Sequence, residues 1–183
     1  MSVEFYHKSI EEYRKLINRS NIAIIESTQQ MIKLRNNSCY AKDMISCIPY
    51  KELNTQCLAG RRQTGRTTTI KQVFDHNVDY YVANSMGGAR ELIKPTRNVC
   101  TGDVIYEMSQ DSIDIILKRD CLKSMRSDLR WVSSIDPSKN CTIYLDVCSN
   151  EVQENREYVR KVQEQIEKTF DEKQRAKILI VYT

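Results

Sequence analysis

The spacing of apolar residues changes along the chain, from helical near the start to short continuous runs further on. Over residues 8–35, Ile10, Ile17, Ile24 and Met31 stand seven apart, and Tyr13, Leu16, Ile25, Ile32 and Leu34 widen the stripe. This pattern predicts an amphipathic helix whose apolar face packs on a core. If the polar stretch Asn18–Asn21 interrupts it, two helices form a hairpin or cap instead. A shorter helix is expected around Lys42–Ile48, stopping at Pro49 because proline removes a backbone donor and clashes with the preceding turn.

Beyond this the runs shorten. Gln56–Ala59 leads into a glycine turn, and Thr67–Phe74 has the pattern of a helix that follows it. Asp79–Asn84 (DYYVAN), Val104–Met108 (VIYEM), Cys141–Val147 (CTIYLDV) and Lys177–Tyr182 (KILIVY) are rich in β-branched and aromatic residues and read as strands. Between them Gly87–Ile93, Ser112–Leu117 and the charged Glu151–Phe170 read as helical. Strands alternating with helices imply an α/β fold, a parallel sheet flanked by helices on both faces. Residues 1–55 lie outside the alternation and are expected to form an N-terminal helical appendage packed on a core of residues 56–183.

Composition narrows the setting. A chain of 183 residues is long enough for one well-covered core and short for two. The N-terminal stretch is too polar for a signal peptide and no apolar run approaches a membrane span. The seven cysteines show no metal-binding spacing, which suits reduced thiols in the cytoplasm. Cys57, Cys141 and Cys148, in or beside apolar strands, are expected to be inert core residues. His7 and His76 are too far apart in sequence to suggest a catalytic constellation. A formal charge of +4 permits a polyanionic partner without demanding one.

The most specific chemistry lies in GRRQTGRT, which sets Gly60, Gly65, Arg66 and Thr67 at the spacing G-x-x-x-x-G-K-[ST], with Arg66 in the lysine position. Glycines let successive backbone N–H groups turn toward phosphate oxygens, and the following helix aims its positive end at the same anion. Gly60, Arg61, Arg62, Gly65, Arg66, Thr67 and Thr68 are therefore the candidates to hold a nucleotide. Asp146 ends the run IYLD, and a carboxylate there would hold magnesium through water, beside the Thr67 hydroxyl. The same residues also suit plainer roles: a basic loop opening a helix, and an aspartate capping the helix after Asn150.

In order, GRRQTGRTTTI, VDYYVANSMGGARELI, CTIYLDV and AKILIVYT resemble the P-loop NTPase core of phage terminase large subunits and helicase-type motors, over about residues 56–183. The resemblance implies ATP and magnesium as ligands, and a partner that is DNA or a protein of a DNA-processing assembly. In that family the loop after the second strand (Val82, Ala83, Asn84 and Ser85 here) precedes a helix coupling nucleotide to DNA, and motors of this type work as assemblies. The sequence departs from the family twice. Arginine at position 66 offers a planar fork where the family has a compact ammonium, and Val147 replaces the glutamate that orients the attacking water, leaving Glu151 as the nearest later carboxylate. The expectation is a truncated core that binds ATP with hydrolysis weak or lost; the alternative is a pseudo-ATPase interaction module needing no nucleotide. The basic stretch Lys118, Arg119, Lys123, Arg126 and Arg130, with Trp131 beside it, is broken by Asp120 and Asp128 and reads as a mixed-charge helix face. Glu151–Lys173 alternates in sign at the spacing of i,i+4 pairs.

Overall fold

Apolar runs without alternation need cover on both faces, and the fold provides it for each of the longest ones. The computed structural model describes residues 3–37, 54–58, 66–98, 101–146 and 152–182. The expected helix at Lys42–Ile48, the turn residues Gly60–Gly65, Val147, Cys148 and Glu151 lie outside them. In chain order the elements are α1 (Val3–Asn37), β1 (Thr55–Cys57), α2 (Arg66–Val73), β2 (Tyr80–Ala83) and α3 (Met86–Ala89), which runs into a 3-10 turn at Arg90–Ile93. Then come β3 (Thr96–Arg97), β4 (Val104–Tyr106), α4 (Gln110–Arg119), β5 (Leu122–Ser124) and a 3-10 turn at Leu129–Ser134. The last four are β6 (Cys141–Asp146), α5 (Val152–Thr169), α6 (Glu172–Arg175) and β7 (Ile178–Tyr182).

Five strands form one parallel sheet in the order β1-β7-β6-β2-β5. β6 is central and buried at all six positions, and β2 is buried at all four. Alternate side chains serve opposite faces. Tyr80 stacks on Trp131 of the second 3-10 turn, ring centroids 5.4 Å apart, whereas Tyr144 meets Phe74, just after α2, at 5.9 Å. Tyr81 is registered beside Tyr144, and Ala83 beside Asp146. Tyr81, Tyr144 and Asp146 therefore share the face covered by α2. On the other face α5 lays Tyr158, Val159, Val162, Ile166 and Phe170, all buried, each worth about 1.5–3 kcal/mol when fully sequestered. Its outer side carries the i,i+4 pairs Glu157–Lys161 and Arg160–Glu164, which contribute only tenths of a kcal/mol.

Several expectations are corrected. Val104–Met108 does contain a strand, but β4 pairs antiparallel with β3 in a separate two-stranded unit, with Val104 and Ile105 exposed. Gly102 in its turn has φ +75°, a conformation glycine reaches without steric cost. The outer place in the main sheet goes to β5, from within the basic stretch. That stretch is not one helix face: Lys118 and Arg119 end α4, Lys123 is on β5, and Arg130 and Trp131 belong to the 3-10 turn. Cys57 is exposed while Cys141 is buried, because the edge strand β1 covers only one of its sides. The Asn18–Asn21 stretch does not interrupt α1.

The expectation for α1 holds in part. Its buried residues are Asn21, Ile25, Thr28 and Ile32, whereas Ile17 and Ile24 are half-buried and Met31 is exposed. The predicted stripe thus packs inward along Ile25 and Ile32, with Ile17 and Ile24 at its border and Tyr13, Leu16, Met31 and Leu34 turned outward, and polar contacts hold the same inner face. Asn18 accepts from Thr69 of α2 (2.8 Å), Gln29 donates to Thr142 of β6 (3.0 Å), and Glu11 accepts from Asn98 (2.9 Å). No helix among the described residues is long and apolar enough to cross a membrane.

Candidate functional site

In a parallel sheet every strand delivers its carboxyl end to the same edge, where helices of the following crossovers begin. Here that edge brings Asp146, the last residue of β6, against the first turn of α2. Thr67 Oγ1 donates to Asp146 Oδ2 at 2.6 Å, and Tyr81 Oη donates to the same oxygen at 2.5 Å. The two hydroxyls come from segments far from Asp146 in sequence, so only the assembled sheet unites them. Asp146 is 9% exposed, at the positive end of α2, where a negative charge is favoured.

The position of Thr67 depends on how firmly α2 is held. Ile70 and Thr69 are fully buried, and Thr69 is tied to α1 through Asn18. Lys71 is nearly buried, its ammonium donating to the Lys94 carbonyl (2.6 Å) and to Thr96 Oγ1 (3.0 Å). Burial lowers its pKa, with Lys94 adding to the effect and Glu91 opposing it. The phenol of Tyr106 on β4 donates to the Lys71 carbonyl at 2.7 Å, satisfying a backbone acceptor near the end of the helix. The β3–β4 unit therefore buttresses α2 at the end opposite Thr67.

The structure unites Thr67 and Asp146, and it places Arg66 and Thr68 beside them on the first turn of α2, each half-buried. Gly60, Arg61, Arg62 and Gly65 lie outside the described residues. Tyr81 is the site residue that sequence reasoning missed. DYYVAN offers two adjacent tyrosines, and only the register against β6 decides which one reaches Asp146. Two neighbours complete the edge. Asn84 follows β2, its Oδ1 buried and lacking a hydrogen-bond partner, and Ser85 caps α3 by accepting from the Gly88 N–H at 3.1 Å.

A hydroxyl and a carboxylate are hard oxygen donors suited to magnesium, which commonly takes one or two protein oxygens and fills its octahedron with water and phosphate. Among the described residues no group of three or more His, Cys, Asp or Glu side chains forms a denser metal site. A cavity of about 240 Å³ lies at the other edge of the sheet, lined in part by Gln29, Asp75, Asp79, Asn140, Thr142 and Lys177. It contains none of the residues predicted to bind nucleotide or metal. No protein-family model, curated protein or solved structure matches the chain.

Proposed function

We propose that the chain binds ATP with magnesium at the carboxyl edge of its parallel sheet and hydrolyses it slowly or not at all. The observation that carries this reading is the 2.6 Å contact between Thr67, at a helix start, and Asp146, at the end of the central strand. The glycine-turn spacing calls for a hydroxyl directly after its cation, and a carboxylate beside that hydroxyl can hold the same magnesium through water. On this reading Arg66 neutralises phosphate, and Gly60, Arg61, Arg62, Gly65 and Thr68 complete the cradle. β7 lies between β1 and β6, so its carboxyl end stands between Cys57 and Asp146, which suits the coupling strand of a terminase- or helicase-type core. Val147 in place of a glutamate supports slow turnover, since phosphoryl transfer to water depends on positioning the nucleophile. DNA, or a protein of a DNA-processing assembly, is the partner this reading implies.

Titration calorimetry tests the proposal. Heat of binding is expected for ATP with magnesium, and Arg66→Ala should weaken it by about tenfold, the worth of one charge-assisted contact. Arg66→Lys should retain binding. No heat and no thermal shift on adding nucleotide would falsify the reading.

A second reading has one observation in its favour. Asp146 Oδ2 already accepts two hydroxyls, which suits a structural latch in a pseudo-ATPase that serves as an interaction module. In that case Thr67→Ala lowers the thermal midpoint and nucleotide has no effect on either protein.

A further inference from the structure

We infer that the outward face of α1 is a self-association surface, on which a second copy of this chain lays its own α1 antiparallel. The face follows a seven-residue spacing: Tyr13, Ser20, Ser27 and Leu34 form one row, and Leu16, Ala23 and Gln30 form the row beside it. Tyr13, Leu16, Met31 and Leu34 are 50–64% exposed, and Ser20, Ala23 and Ser27 between them are exposed as well. The large apolar side chains therefore occupy the two ends of the stripe and small ones its middle. Such a stripe matches itself when reversed. With two copies antiparallel, Tyr13 faces Leu34 of the other copy, Leu16 faces Met31, and Ser20 faces Ser27. The small middle lets the two backbones approach to about 8 Å, the close end of helix packing, over roughly 32 Å of helix.

Charge selects the orientation. Glu12, Arg19, Glu26 and Lys33 border the stripe seven residues apart, alternate in sign, and are all exposed. None of them forms an ion pair within the described residues. Antiparallel pairing sets Glu12 against Lys33 and Arg19 against Glu26 across the two-fold, opposite signs throughout. Parallel pairing in register would set each charge against itself, which is unfavourable. The other border of the stripe, Ile17 and Ile24, is already half-covered by the protein body, so the partner is confined to the charged side. Because Asn18 on the inner face of α1 holds Thr69 of α2, the pairing surface is one helix removed from the Thr67–Asp146 contact.

Sedimentation equilibrium of the full chain at micromolar concentration tests this. A dimer is expected. Arg19→Glu and Glu26→Arg should each weaken it about tenfold, because the two-fold makes every substitution spoil two pairs. The double swap R19E/E26R should restore the dissociation constant to near that of the original protein. These positions are exposed on a helix, so the thermal midpoint measured at monomeric concentrations should not move. A monomer at every concentration overturns the inference. So does a dimer indifferent to the single reversals, or one that the double swap weakens further.

Discussion

Asp146→Asn is expected to weaken binding of magnesium–ATP about 100-fold, roughly 2.7 kcal/mol, while leaving the thermal midpoint within a few degrees. The amide oxygen can still accept from Thr67 and Tyr81, so the local hydrogen bonds survive, but the negative charge that attracts a divalent cation is gone. Binding of ATP without magnesium should change little. Tyr81→Phe removes one of the two donors from Oδ2 and is expected to maintain or tighten the magnesium-dependent component. Calorimetry at fixed ATP with and without magnesium separates these effects. If Asp146→Asn binds magnesium–ATP as the unaltered chain does, the carboxylate is not a metal ligand. If it binds neither form and also melts early, the cluster is structural.

The second large effect concerns stability and involves a carboxyl at the opposite edge of the sheet. Asp79 precedes β2 and is buried; Oδ1 accepts from the Thr142 N–H at 2.8 Å and Oδ2 from the Asp75 N–H at 2.9 Å. Burial pushes its pKa up to about 7, an effect that the Asp75 charge increases and that the two backbone donors and Arg119 oppose. A carboxyl whose folded pKa exceeds its unfolded value binds protons more tightly in the folded state. Its contribution is therefore complete below the unfolded pKa near 4 and is lost as the pH climbs through about 7. A rise from 3.8 to about 7 is worth on the order of 4 kcal/mol. Urea unfolding at a series of pH values should show stability declining across that window. Asp79→Asn should abolish most of the slope and cost about 1–3 kcal/mol at low pH, because its amide group meets one backbone N–H with another donor. The exposed carboxylates Asp128, Asp136 and Glu157, whose pKa values are lowered by hydrogen bonds and nearby cations, act in the opposite sense at lower pH. The comparison with Asp79→Asn cancels them. An equal slope in both proteins rules out Asp79 as its origin.

What the sequence revealed, and what it concealed, follows from how each signal arises. The strands at Asp79–Asn84, Cys141–Val147 and Lys177–Tyr182 were legible because buried parallel strands need unbroken apolar runs. Thr67 and Asp146 were legible because helix starts and strand ends carry local marks. β5 was hidden: Leu122–Ser124 has one large apolar residue, and its pairing with β2 supplies the rest of its stability. VIYEM misled in the other direction, since β-propensity says nothing about which sheet a strand joins. For α1 the period was right, but only the Ile25 and Ile32 side of the stripe packs inward. Periodicity finds an apolar stripe, but Asn18 and Gln29 reach out to α2 and β6, while the buried Thr28 hydroxyl is satisfied within its own helix by the Ile24 carbonyl (2.8 Å). No stripe calculation counts such bonds.

The place of β1 in the sheet bears on how the chain is made. β1 touches the sheet only through β7, with Thr55 beside Ile180 and Cys57 beside Tyr182. The buried Asn54 amide fastens the same seam by donating to the carbonyls of Arg175, Ala176 and Ile178. β1 thus gains its sheet neighbour only once β7, the last described strand, has been made. Closing so long a loop is entropically costly and slow. During synthesis β2, β5 and β6 can assemble while β1 waits. The order of strands makes the seam of β1 with β7 the last part of the described sheet to close.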